Sequence, residues 1–206
     1  MASEIKQGTL ELVNHLPILQ VITPMLIAPI LVVLNNKTLS WLLSFLGALA
    51  CLFISILLMQ TVSDGSILTY YLGGWVPPIG IEYRIDAANA ILLFLISIIS
   101  AIVLIFSYSS LHAEIPEEKH TLFYSCFLLC LTGLLGVVAT ADIFNVFVFL
   151  EISSLSTYVL VAQGAYLDRR ALSASFNYLI MGTIGATFFV IGIGYIYMAT
   201  GSLNMM

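Results

Sequence analysis

The segment that decides the fold is residues 143–162, which read IFNVFVFLEISSLSTYVLVA and hold one charged side chain, Glu151. The length and apolar character of this segment are those of a membrane-spanning helix. Eight residues separate Glu151 from the polar Asp142, so the carboxyl lies roughly 13 Å deep, close to the middle of a bilayer core about 30 Å thick. A charged and unpaired carboxylate is unfavourable at that depth. We therefore predict that Glu151 is a functional residue.

The composition of the chain predicts a polytopic, all-α membrane protein. Of the 206 residues, 61% are hydrophobic and 8% are charged, whereas about a quarter of the residues in a soluble domain are charged. The net charge is −5 and there is no basic cluster, which argues against a nucleic acid partner. Cys51, Cys126 and Cys130 lie within apolar runs and have no neighbours that would complete a metal site. They are interpreted as structural, and no metal or cofactor site is predicted.

Six apolar segments are long enough to cross a bilayer. They are residues 16–34, 39–59, 87–108, 121–139, 143–162 and 174–199. The turn between the first two is very short, which predicts an antiparallel helix pair. In the last segment Gly182 and Ala186 are four residues apart, a spacing that permits close helix packing.

Two polar connections carry further predictions. In residues 61–84, β-forming residues flank a GGWVPP turn, which predicts a short β-hairpin at the membrane face, with an irregular loop as the alternative. Residues 111–120 contain His112 and His120 among several glutamates, but their spacing fits no metal site. These histidines are predicted to lie in a solvated loop.

The basic residues predict the orientation of the chain. With the N-terminus outside, Lys37, Lys119, Arg169 and Arg170 face the cytoplasm, while Lys6 and Arg84 lie outside, in agreement with the positive-inside bias. The hairpin then lies on the outer face.

Glu151 shares one face of its helix with Ser154 and Tyr158. This polar stripe can seat water and pass protons, and a buried acid whose partner changes charge can load and release a proton. The alternative is a protonated glutamate that only forms a hydrogen bond across a helix interface. No basic residue falls within the six predicted helices, so a cationic partner would have to come from elsewhere.

Three stretches carry a family resemblance: LGGWVPPIGIEYRID, ATADIFNVFVFLEISSLSTYVLVA and RRALSASFNYLIMGTIGATFFVIGIGYIYMATGSLNM. They resemble the antiporter-like proton-translocating membrane subunits. This family includes the D subunit of Mrp-type Na+/H+ antiporters and the membrane-arm subunits of complex I and membrane-bound hydrogenases. The resemblance implies that Glu151 matches a fifth-helix glutamate needed for proton movement and that the hairpin lies on the outer side. The hairpin sequence leans towards the D subunit.

The resemblance covers only the N-terminal part of the family fold. Family members have about fourteen helices in two inverted repeats, and the lysine that pairs with the glutamate lies on the seventh helix. The chain is therefore expected to be an incomplete version of that fold, truncated before helix seven. Residues 1–139 would hold an N-terminal extramembrane segment, helices one to four and the hairpin (61–84), and residues 140–206 would hold antiporter-module helices five and six.

The expected function is that of a proton-conducting subunit of the cation/proton antiporter type, in a multisubunit complex. Two alternatives stay open: a non-transporting assembly fragment, and a membrane-arm subunit of a redox-driven NADH:quinone-type or hydrogenase-type pump. No catalytic residue or redox centre is predicted in the chain, and whether its complex is an enzyme is left open. The expected partners are other membrane subunits, protons, Na+ as a candidate coupled ion, and the lipid of a prokaryotic inner membrane.

Overall fold

The computed structural model describes residues 14–206, and this part of the chain contains six long helices and a two-stranded sheet. The predicted N-terminal extramembrane segment falls mainly on residues 1–13, outside the described residues. All six helices are long and apolar enough to cross a membrane, which confirms the predicted fold class. Their bounds are α1 Leu16–Leu34, α2 Lys37–Thr61, α3 Ala87–Glu114, α4 His120–Ala139, α5 Ile143–Gln163 and α6 Arg170–Thr200.

The prediction of a solvated loop at residues 111–120 was correct for exposed residues 117–119 and wrong at both ends of the range, which belong to helices. Helix α3 continues to Glu114 and ends where Ile115 becomes extended, because Ile115 precedes Pro116 and a proline disfavours the helical conformation of the residue before it. His120 is only 1% exposed. Its Nε2 lies 2.9 Å from the Ile115 carbonyl oxygen, and its ring contacts that of His112 with 5.0 Å between centroids. Both histidines therefore belong to helix ends, where His112 is exposed and His120 is buried.

Side-chain caps begin three of the helices. Asn36, Asp86 and Asp142 each accept a hydrogen bond from the backbone N–H three residues further along, at the starts of α2, α3 and α5. Such caps satisfy N–H groups that the helix itself leaves free. The polar residues of the short connections thus fix where the helices start.

The predicted hairpin is confirmed, and its strands are shorter than the sequence suggested. Strands β1 (Leu68–Tyr71) and β2 (Glu82–Ile85) are antiparallel, and Ile79 and Ile81 lie in the long connection before β2. This connection folds back tightly. At Gly80, an added Cβ would stand 2.0 Å from the carbonyl oxygen of Trp75, so no larger residue fits there.

The connections separate onto two sides of the helix bundle. On the hairpin side, Tyr83 of β2 pairs with Thr140, and Asp142 pairs with Asn204 beyond α6. On the opposite side, the Lys37 ammonium forms an ion pair with Glu117, which lowers the pKa of this exposed carboxyl. This alternation is what six membrane crossings require. The assignment of the hairpin side to the outside of the cell stays a prediction.

Burial differs greatly between the helices. Helix α4 packs against α1, α2, α3 and α5. In the most apolar stretch of 18 residues, 56% of the residues are buried in the span that contains α4, against 6% in α6. Helix α6 contacts mainly α5, and Ile193 is its one buried residue. The core therefore lies around α4, and α6 is attached to its edge through α5.

The two-sided arrangement predicts a labelling pattern for single cysteines in a chain without native cysteines. Asp64→Cys, on the hairpin side, should react with a membrane-impermeant maleimide applied outside intact cells, and Asp168→Cys should react only after permeabilisation. Both positions are exposed. Labelling of Asp168→Cys alone from outside would reverse the orientation. Labelling of both from outside would contradict the three crossings by α3, α4 and α5 that separate the two positions.

Candidate functional site

Glu151 lies in an open groove between α5 and α6. The groove measures about 260 Å³. On the α5 side it is lined by Phe147, Leu150, Glu151 and Ser154, and on the α6 side by Gly182, Gly185, Ala186 and Phe189. Because three of the four α6 residues are small, the space opposite the carboxyl is left unfilled. The structure thus brings Glu151 and Ser154 together, as the helical spacing indicated.

The contact between α4 and α5 fixes the direction in which Glu151 points. Gly133 and Gly136 of α4 lie against Ser153 and Phe149 of α5, and a Cβ on either glycine would stand only 2.4–2.6 Å from α5 atoms. Residues two apart on a helix are separated by about 200° around its axis. Glu151, between Phe149 and Ser153 in sequence, is therefore turned away from α4 and towards α6.

The Glu151 carboxyl is half-buried and forms no hydrogen bond or ion pair with any residue between 14 and 206. The basic side chains in this range lie at helix ends or in connections, several turns from Glu151. The expected absence of a basic residue inside the helices needs one correction, because α2 begins at Lys37, α6 begins at Arg170, and α3 and α4 include His112 and His120.

Tyr158 has a different environment from the other two predicted site residues. It is buried at 7% exposure, and its hydroxyl lies 1.8 Å from the point where a Cβ on Gly182 would stand. Its ring contacts Tyr178, and its backbone carbonyl accepts a hydrogen bond of 2.8 Å from Ser175. Tyr158 is thus packed at the end of the groove, where it joins α5 to α6.

Two features of the site were missed from the sequence. The first is the close approach of α4 to α5 at Gly133 and Gly136. The sequence did indicate it, because two small residues stand three positions apart in α4. The second is that Asp142, although polar, is only 8% exposed and caps α5. It is buried because the hairpin and the residues after α6 cover the start of that helix.

Comparison with known proteins identifies relatives of the chain. Residues 140–206 match the family model described as NADH:quinone oxidoreductase/Mrp antiporter, TM. Over 93% of its length the chain is 41% identical to the N subunit of NADH-quinone oxidoreductase from Desulforudis audaxviator. Over a similar span it is 30% identical to the D subunit of the Na(+)/H(+) antiporter from Alkalihalophilus pseudofirmus. The chain is a homologue of the antiporter-like membrane subunits.

The fold of these antiporter-like subunits is shared as well. A chain in the structure of the membrane-bound sulfane sulfur reductase, an archaeal respiratory membrane complex, superimposes with a TM-score of 0.84 at 34% identity. That match covers 92% of the present chain and 38% of the other one. The curated relatives are likewise matched over 38% of their length. Relatives of both names, the N subunit of the oxidoreductase and the D subunit of the antiporter, therefore match the chain.

Tyr158 and Gly182 generate a stability prediction. Gly182→Ala should lower the free energy of unfolding in detergent by about 1–3 kcal/mol, because the new methyl group overlaps the Tyr158 hydroxyl and forces α5 and α6 to shift. Gly185→Ala is the matched control, since nothing lies within 4 Å of a Cβ there, and it should have little effect. Adding Tyr158→Phe to Gly182→Ala should recover most of the loss, and an unrelieved loss would contradict the assigned contact.

Proposed function

We propose that the chain is a proton-conducting membrane subunit of a larger complex and that Glu151 carries the proton. The observation that supports this most directly is a carboxyl in mid-helix that opens into a groove and has no partner among residues 14–206. A side chain of this kind in a membrane helix is rarely kept without a function. Homology to antiporter-like subunits supports the same role.

The proposed mechanism assigns a step to each group in the groove. The groove is large enough to hold water, and the Ser154 hydroxyl both donates and accepts hydrogen bonds, so water between Ser154 and Glu151 can deliver or remove a proton. The ionised carboxylate then needs a nearby cation to offset its desolvation. We propose that a group outside residues 14–206 supplies this cation, on the open side of the groove.

The proposed partners are other membrane subunits and the lipid of a prokaryotic inner membrane. The exposed surface of α6 supports this, since only 6% of the residues in its most apolar 18-residue stretch are buried within the chain. Within the chain, residues 140–206 are proposed to belong to the ion-conducting module, and residues 14–139 to support it. The groove lies wholly in the former range.

Two kinds of complex are candidates for the larger assembly that contains the chain. We propose a redox-driven pump, with a cation/proton antiporter as the second candidate. The supporting observation is the higher identity to the oxidoreductase relative, 41% against 30% for the antiporter relative. Purification of the complex from native membranes, followed by mass spectrometry, tests the choice. Recovery of quinone-oxidoreductase or hydrogenase-type subunits supports a redox pump, whereas recovery of antiporter subunits alone would replace it.

Glu151→Gln should reduce proton flux in native membrane vesicles by about a hundredfold, because the amide keeps the shape of the side chain but cannot release a proton. Glu151→Asp should keep partial flux, since the acid survives on a shorter stem. A pH-sensitive dye inside the vesicles reports the flux, and quantification of the assembled complex on native gels excludes loss of assembly.

The control for this experiment is Asp142→Asn. Asparagine caps a helix about as well as aspartate, so α5 should start at the same residue and flux should change little. If Glu151→Gln transports at the parental rate in a fully assembled complex, the chain has a structural or assembly role and the proposed function is wrong.

The 206-residue chain by itself should insert into liposomes but carry no sustained proton flux. Insertion needs only six apolar helices with internally bonded backbones. Conduction also needs an ionisable Glu151, and no base reaches it within residues 14–206. Reconstitution with an internal pH dye provides the measurement. A sustained flux that disappears with Glu151→Gln would show that no outside cation is required.

A further inference from the structure

Three segments that are far apart in sequence meet on the hairpin side of the bundle. The Ala141 N–H donates to the Glu82 carbonyl at 2.9 Å, which joins the start of α5 to β2. The Met205 N–H donates to the Ala141 carbonyl, and the Ile143 N–H donates to the Leu203 carbonyl, both at 2.9 Å. Residues 141–143 are therefore bonded to the hairpin on one edge and to the segment after α6 on the other.

One side-chain hydrogen bond connects the two outer segments directly. Asn204 Nδ2 donates to Glu82 Oε2 at 2.8 Å, and Glu82 is only 7% exposed. The Asn204 Oδ1 accepts from the Met206 N–H, also at 2.8 Å. This second bond fixes the orientation of the amide, so its NH2 group is the one that faces the Glu82 carboxylate.

Helix α6 contacts α5 near both of its ends and, between them, through the stacked rings of Phe147 and Phe189, whose centroids are 6.4 Å apart. At the end away from the hairpin, the Ser175 hydroxyl donates to the Tyr158 carbonyl, and the Tyr158 hydroxyl lies against Gly182. At the hairpin end, the chain after α6 is attached through residues 203–205. The groove that contains Glu151 lies between these attachments.

We propose that Glu82 and Asn204 are positioning residues that hold the hairpin end of α6 against α5 and so set the width of the groove at Glu151. Neither residue lies in the groove itself. That Glu82 and Asn204 hold α6 against α5 does not depend on the proposed function, whereas the effect on transport rests on it. A hydrogen bond to a charged group shifts an equilibrium between attached and detached states by about tenfold or more.

The test exchanges the donor and the acceptor of the hydrogen bond between Asn204 and Glu82. Asn204→Asp places a carboxylate oxygen against the Glu82 carboxylate and should detach the segment. Adding Glu82→Gln should restore the attachment, because the new amide donates to the new carboxylate, whose other oxygen still accepts from the Met206 N–H. Glu82→Gln alone should have little effect, since its amide oxygen still accepts from Asn204.

Distances between spin labels on the full chain in lipid nanodiscs measure the attachment. One label pair replaces Phe144 and Tyr195, which are exposed near the hairpin ends of α5 and α6. A control pair replaces Val159 and Leu179, exposed near the opposite ends. Asn204→Asp should lengthen and broaden the first distance and leave the second unchanged, and the double substitution should return the first to its original value. Asp64→Asn, which removes an exposed carboxylate from the same side, is the matched control and should change neither distance.

Proton flux in native vesicles is the second readout. It should fall about tenfold with Asn204→Asp and recover with the double substitution. If Asn204→Asp leaves the first distance unchanged, or if the double substitution fails to restore it, the positioning role is wrong. If the distances respond as expected while Glu151→Gln has parental flux, the positioning role stands and the proposed function fails.

Discussion

The close contact between α4 and α5 at Gly133 and Gly136 is the constraint on which the site depends. Both glycines allow α4 to approach until it touches Phe149 and Ser153. Helices in a membrane gain little from burying apolar surface against each other, because lipid is equally apolar, so close packing through small residues is a main source of their association. This contact fixes the rotation of α5 and thereby turns Glu151 towards α6.

The two faces of α5 are consequently packed in different ways. On the α4 side, the hydroxyls of Ser153 and Ser156 donate to backbone carbonyls of their own helix, so these hydroxyls are satisfied without water. On the α6 side, Glu151 and Ser154 face a groove lined by small residues. Glu151 and Ser154 thus have unsatisfied bonding capacity on the loosely packed face, and water has room beside them there.

Much of the fold was predictable because spans of about 20 apolar residues leave few alternatives to a membrane helix. The bounds of α1 agree with those predicted, since Pro17 and Asn35 mark its ends. The bounds were least accurate where polar residues continue a helix beyond the apolar run, as in α3 up to Glu114. Apolar length alone does not report such extensions, whereas the proline at position 116 does.

The site was predictable only in part. Sequence spacing reports which residues share a face of one helix, but it does not report contacts between segments that are distant in sequence. Helical spacing placed Glu151 beside Ser154, because both lie on one helix. It also grouped Tyr158 with them, but the position of the Tyr158 hydroxyl depends on the absence of a side chain at Gly182, 24 residues away in sequence. The burial of Asp142 likewise depends on Glu82 and Asn204, and no local pattern connects three such distant segments.

The arrangement of contacts around α6 explains how a helix with so little buried surface keeps one position. Its end away from the hairpin is held by Ser175 and Gly182 against Tyr158, and the segment beyond its other end is held by backbone hydrogen bonds to residues 141 and 143. Neither attachment fills the middle, where Gly185 has nothing within 4 Å of a Cβ position. A denser middle would have stabilised the helix pair by dispersion but would have removed the space beside the carboxyl. Attachment at the ends therefore allows one helix pair to combine a defined geometry with an open polar groove, as the role proposed for Glu151 requires.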